Sequence, residues 1–530
     1  MVIKSVWILA FTVLLSDVLS VAIENQGPGI PKIQFKKEEL FKPLSTLKAP
    51  AGLGHGWPIL YKGYLVVPHI KDGGVNGGWG FFDISNPRSP RMVFEKRDNE
   101  TADVREQLSW GLATVGYGGK TIAAIAAWKG VQFWDWTQPE KMSRLSYLEL
   151  PGVTESSYDR GVFSLFYQAP YVYAAGVSLG FYVIDASNPS APKLIKHVKM
   201  DEAGGFRTGW ATAVGNVLVV SDVVGPTGQG FALFDISNPA QPRLLDAHRN
   251  KPSGYSTTLY GDMLYAIGRT IMVYDISDHK TAKPLKESGI LGSEGAYMTL
   301  QDDYIHGGFS NSYVKVDRNS LAVVGKAHNS INNIDEDHAV AFGNLVFSGD
   351  DHAAGSSLYA HQESPDLTPP VSNMISPRDS AIEVPVTSRI GLTLTDAIDP
   401  TSLTAEALIV KNVQTGELLE GWLSSQHNIV NFTPLRALNP QTSYEVVLVA
   451  GKMRDYAGNA IAISKSFRFS TGNALASIER GSLRRVNPLK RGQAYLRSPA
   501  STLSLDARGR LILRSSQSAA IYAFENYPSP

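Results

Sequence analysis

The 530-residue sequence predicts an all-β protein, a seven-bladed β-propeller followed by a β-sandwich. A repeat carries the first half of that expectation. Phe82-Asp83-Ile84-Ser85-Asn86-Pro87 returns as Val183-Ile184-Asp185-Ala186-Ser187-Asn188-Pro189, as Leu233-Phe234-Asp235-Ile236-Ser237-Asn238-Pro239 and as Val273-Tyr274-Asp275-Ile276-Ser277, with weaker copies around Asp135 and Asp317. These six aspartates lie 52, 50, 50, 40 and 42 residues apart, a blade-sized period. Between copies there is no helical period, only short apolar runs broken by turn residues, so each unit reads as an antiparallel meander. The second half rests on a change of pattern at Thr368-Pro369-Pro370, after which alternating strands and turn signals recur about every 8–12 residues.

Taken in order, the N-terminus has Lys4, the apolar run 6–15 and then Ser20-Val21-Ala22, which predicts a secretory signal peptide over residues 1–22. The run is too short for a stable anchor, which takes about 20 residues, and no later segment is a transmembrane candidate. Each unit of the propeller, 40–363, then offers a first strand ending at a turn such as Gly215-Asn216, Gly261-Asp262 or Gly343-Asn344. A second apolar strand follows, as at 64–67, 217–221 and 263–267. The third ends in the Asp-Ile-Ser-Asn-Pro signature, whose Asp and Ser accept from nearby backbone N–H groups while Pro ends the strand. A short fourth strand follows, as at 192–195 and 242–245. The seventh unit, with His361 where the others have Asp, leaves without a fourth strand. The stretch 40–47 supplies it from the other end of the domain, closing the ring and removing an exposed edge.

The third-strand signature resembles that of the LVIVD-repeat propellers, over roughly residues 40–363. The resemblance implies a propeller of the kind found in exported or surface proteins of bacteria and archaea, and it implies no chemistry. Trp136-Thr137-Gln138 and Asp278-His279 depart from the pattern, and blades six and seven lose it. After a linker, 364–370, the landmarks 377–385, Ile390-Gly391-Leu392-Thr393-Leu394, Asp396-Ala397-Ile398-Asp399-Pro400, 430–434, 438–446, Asp455-Tyr456-Ala457-Gly458-Asn459 and 467–471 resemble the bacterial Ig-like domain of the SbsA type, over 371–472. Such domains are spacers or interaction modules on exported proteins. The pairs Asp396/Asp399 and Asp455/Asn459 read as turn caps in preference to calcium ligands. Residues 473–530 read as a basic β-rich tail, with a hairpin over 502–513, or as the start of a further domain.

Composition narrows the function classes. With 49 basic and 49 acidic side chains the net charge is zero, which argues against a nucleic-acid partner. Residues 475–530 nevertheless carry nine Lys/Arg against Glu479, Asp506 and Glu525, a local +6. There is no cysteine, so disulfides, thiolate metal sites, a cysteine nucleophile and a lipoprotein anchor are all excluded. The expected compartment is a bacterial periplasm or cell surface.

Site signals are sparse. Rings at the entry to the innermost strands, His55, Trp57, Trp110, Trp210, Tyr255 and His338, form the expected ligand-binding set, suited to stacking a sugar or holding a cation. A second set at the ends of second strands, His69, His306 and His352, comes from blades that are neighbours in a closed ring, and neutral imidazoles of this kind would suit a divalent metal as cofactor. No nucleophile elbow, phosphate-binding loop or HExxH motif is present. Two readings follow: a binding protein whose propeller recognises an extracellular polymer, glycan or surface protein, with the Ig-like domain as spacer, and a metal-assisted hydrolase or lyase acting on an extracellular polymer.

Overall fold

The computed structural model describes residues 26–50, 53–70, 77–97, 110–127, 129–154, 158–223, 230–249, 256–292, 297–309, 312–328, 338–349 and 355–473, with short strands between 497 and 521. The signal peptide, Tyr255 and His352 lie outside the described residues. The chain divides into two compact units, 1–474 and 475–530. No helix among the described residues is long and apolar enough to cross a membrane.

The repeats build seven four-stranded meander sheets, each running from an inner to an outer strand. The inner strands of blades two to seven are Trp110–Val115, Ser164–Gln168, Thr208–Val214, Thr257–Tyr260, Met298–Gln301 and His338–Phe342. Each contacts the next, and Gly54–His55 of blade one contacts blade seven, which makes the sheets a ring. Pro43–Lys48 pairs antiparallel with Gly355–Ala360, so the N-terminal strand completes blade seven as the sequence predicts.

The signature explains itself locally. Asp83 Oδ1 accepts from the N–H and hydroxyl of Ser85 at 2.9 and 2.6 Å, and Asp185 does the same for Ser187 and Asp135 for Thr137. Three residues after the aspartate, Asn86, Asn188 and Asn238 accept from the backbone N–H of Arg88, Ser190 and Ala240. These paired Asx turns fix the reversal into the outer strand. That outer strand carries a register shift in all of blades one to six, a bulge that twists the sheet edge and discourages pairing with another chain.

One position of the third strand is apolar in five blades and charged in the sixth. Two residues before the signature aspartate stand Phe81, Phe133, Val183, Leu233 and Val273, all buried, but blade six has Lys315, which is 3% exposed. Its Nζ donates to His361 Nδ1 at 3.1 Å and lies 3.7 Å from the Tyr304 ring centre, with no carboxylate paired to it among the described residues. Burial pushes its pKa down to about 8, while burial of His361 and His306 keeps both imidazoles neutral above pH 7. A folded pKa below the unfolded value of about 10.4 gives stability that is complete above pH 10.4 and lost as pH falls through 8. Wild-type protein should therefore gain about 2 kcal/mol more than Lys315→Met between pH 7 and 9.5 in urea denaturation. Equal pH slopes for the two proteins would mean that the amine is solvated.

The sandwich has two sheets. One holds Ser372–Ser376, Ile390–Leu394, Ile429–Pro434 and Gly421–Gln426, the other Ala381–Val384, Lys465–Thr471, Ser443–Leu448 and Leu408–Asn412. Leu392, Leu394, Val430, Phe432, Val446, Phe467 and Phe469 fill the space between them. In the second unit Ser501–Leu505 pairs with Leu511–Ser515 as the expected hairpin, flanked by Arg497–Ser498 and Ala519–Ile521.

Candidate functional site

The channel of the propeller is the natural site for a ligand, and here the sandwich fills it. Strand Gly421–Gln426 pairs antiparallel with the innermost strand of blade two, Leu423 opposite Val115 and Ser425 opposite Leu112, so that a propeller sheet and a sandwich sheet run together as eight strands. The chain turns at His427-Asn428, deep in the channel, and returns as Ile429–Pro434.

Every inner strand exposes backbone groups towards the channel axis, and buried polar groups require partners. Carboxamides of the hairpin supply them. Gln426 accepts from Tyr167 N at 3.2 Å and donates to Leu165 O at 3.1 Å in blade three, where Ser424 also accepts from Ala169 N. Asn431 Oδ1 accepts from Gly215 N and Gln168 Nε2, both at 2.9 Å, and its Nδ2 donates to Ala213 O of blade four at 3.0 Å. Asn428 donates to Leu259 O of blade five at 2.8 Å. Gly391 lies so close to Gly215 that any Cβ would strike the Gly215 backbone nitrogen.

Around this plug the first-to-second-strand turns meet the rest of the sandwich. Thr393 and Asn373 accept from Gly261 N, Asp302 N donates to Thr395 O, and Tyr456 stacks on Phe342 with ring centres 5.2 Å apart. Arg389, 1% exposed, donates to Ile236 O at 2.8 Å, and Arg378 pairs with Asp262 at 2.7 Å. Beside the hairpin remains a cavity of about 10 Å³ between Ile59, Leu112, Gln426 and Tyr456, room for a single water.

Residues 169–199 and 216–247, blades three and four, match the LVIVD repeat, and residues 366–471 match the bacterial Ig-like domain. The chain carries LVIVD repeats and a bacterial Ig-like domain. Ig-like domains of this type occur in bacterial surface proteins. No curated protein matches the sequence. Among solved structures, the computationally designed Ika8 protein is similar over 60% of this chain and 99% of its own, at 12% identity and a TM-score of 0.41.

Three of the six expected rings come together, and they are covered. Trp57, Trp210 and His338 are buried and meet at Tyr297, which stacks on His338 at 4.7 Å and lies 5.7 and 5.4 Å from the two indoles. His427 of the Ig-like hairpin packs edge-on to Trp57 at 4.7 Å, and burial pushes its pKa down to about 3, so it is a neutral ring there. The rings thus pack on a residue of the same chain where the sequence reading had placed a sugar or cation. His55 stands apart from them, bonded to Ser356 Oγ at 2.7 Å and stacked on His69 at 5.3 Å. Trp110 begins the inner strand of blade two. The expected metal set is not brought together among the described residues. His69 packs on His55 and faces Glu95 at 3.6 Å, whereas His306 bonds Tyr313 at 2.8 Å and meets the edge of His361.

Sequence reasoning missed the residues that close the channel, Gln426, His427, Asn428 and Asn431. Their mark is visible only in the structure. Ile429-Val430-Asn431-Phe432 belongs to a two-layer sandwich, yet all four are buried, and a polar residue on the face away from the sandwich core points to a second partner.

Proposed function

We propose that the protein is an exported recognition protein of the bacterial periplasm or cell surface, in which propeller and Ig-like domain act as one body and an extracellular polymer, glycan or surface protein is bound by the propeller face opposite the Ig-like domain. The Ig-like plug carries this reading. It covers the face made by the first-to-second-strand turns, Gly215, Gly261 and Gly343 among them, which leaves the other face and the rim for a partner. On that other face, among the described residues, Arg160, Glu202 and Arg269 are exposed. Loops on a rigid scaffold are where recognition is usually placed. His69 lies beside Glu95 in blade one and His306 bonds Tyr313 in blade six, so these two imidazoles lend the metal-assisted hydrolase or lyase reading no common site among the described residues.

The absence of cysteine makes a clean test. Arg269→Cys and Ile463→Cys place single thiols on the open face and on the exposed edge of the Ig-like domain, and each is then coupled to a bulky maleimide-polyethylene glycol. Binding to a panel of purified envelope polymers, peptidoglycan sacculi first, is measured by co-sedimentation. Modification at 269 should weaken binding at least tenfold and modification at 463 should leave it unchanged. Equal effects, or no binding to any member of the panel, would sink the proposal.

A further inference from the structure

Three carboxylates meet where blade six joins the Ig-like domain. Asp366, Asp396 and Asp455 are 4%, 3% and 0% exposed, and one oxygen of each lies within 4.8 Å of the others. They come from separate segments: the entry to the Ig-like domain, the loop after Ile390–Leu394, and the turn closed by Asn459. Their donors are few and neutral. Asp396 receives only the N–H of Ala397, Asp455 receives the N–H and amide of Asn459, and Asp366 receives Thr368 N and Gln301 Nε2. No Lys or Arg pairs with any of the three among the described residues. A further carboxylate, Asp302, adds to the repulsion on Asp396, and Arg318 beside it is held by Asp303.

A second feature points to a ligand. Gln301 of blade six is 4% exposed, and its amide nitrogen is seated on Asp366 Oδ2 at 3.1 Å and on Gly343 O at 2.9 Å. Its oxygen Oε1 is buried with no donor in reach. With the amide turned over, this orphan oxygen takes the place of the nitrogen beside Asp366 Oδ2 and Gly343 O, and with the three buried carboxylates it makes an all-oxygen donor set that lacks its positive charge.

We propose that Asp366, Asp396 and Asp455, with the Gln301 carboxamide oxygen, form a calcium site that fastens the Ig-like domain to the propeller. Oxygens within 4.8 Å of one another share one ion at the 2.3–2.6 Å typical of calcium. Zinc prefers nitrogen and sulfur, and magnesium retains several waters that a buried site of this kind does not admit. The inference is independent of what the open face binds.

The full chain, freed of metal with EGTA, is titrated with CaCl2 by calorimetry and melted with and without 10 mM CaCl2. One calcium per chain should bind with a Kd on the order of 10⁻⁴ M or tighter, and the melting temperature should rise by about 3 °C or more. In EGTA, Asp396→Asn should melt at or above wild type, because a buried like charge has gone, and it should lose the calcium increment. Absence of binding heat together with an unchanged melting temperature in wild type would overturn the proposal. So would an equal shift with MgCl2, or a calcium increment retained in full by Asp396→Asn.

Discussion

Replacing Asn431 by alanine will cost the folded protein about 4 kcal/mol, as much as the loss of a large core side chain, although it removes only a small polar group. Its carboxamide satisfies Gly215 N–H, Ala213 C=O and one N–H of Gln168 at once, at a site 1% exposed. Alanine leaves all three without partners and out of reach of water, at about 1–3 kcal/mol each. Urea denaturation gives the number, and a double-mutant cycle with Gln168→Ala locates it. A coupling of about 1–2 kcal/mol is expected between residues that lie in different domains of the sequence yet touch. A cost below about 1 kcal/mol would mean that the hairpin does not occupy the channel in solution.

The propeller cut off after Ser364 should not behave as an independent domain. Without the Ig-like hairpin the innermost strand of blade two has an unpaired edge, the Trp57–Trp210–Tyr297 cluster loses the ring that covers it, and the inner-strand groups now held by Gln426, Asn428 and Asn431 face an open channel. We expect a fragment that melts at least about 10 °C below the full chain, or without a cooperative transition, and that binds hydrophobic dye. A monomeric fragment melting within a few degrees of the full chain would reduce the Ig-like domain to the spacer that its family resemblance implies.

Much of the fold was legible because its determinants are local. Asp83, Asp185 and Asp235 cap turns two residues away, so the repeat announces each blade wherever it occurs, and the apolar strand 40–47 had an obvious vacancy to fill in the unit that ends at His361. The insertion was not legible for the opposite reason. Gln426, His427 and Asn428 are ordinary residues for a tight turn, and their partners at Leu165, Trp57 and Leu259 are backbone groups or rings far away in sequence. The same holds for the site residues. Trp57, Trp210 and His338 meet at Tyr297, but composition gives no sign that the channel is full. The acidic pairs 396/399 and 455/459 behave as turn caps, as expected at Asp399, which accepts from Thr401. What the local reading missed is the meeting of Asp396 and Asp455 with Asp366, which only the tertiary fold creates.

The pairing of Pro43–Lys48 with Gly355–Ala360 also sets an order of events during biogenesis. A polypeptide emerging N-terminus first releases the closing strand early and its partner only after the other blades have appeared, while the plug at 421–434 arrives later still. Through that interval the ring is an open crescent with an unsatisfied edge at each end and an unfilled bore. Closing it means joining segments some 300 residues apart, a loop whose closure is slow and entropically costly. Nascent chains that stall before residue 434 are therefore the form most exposed to edge-to-edge aggregation and to proteolysis, and the hairpin at 421–434 is the one that ends this vulnerability.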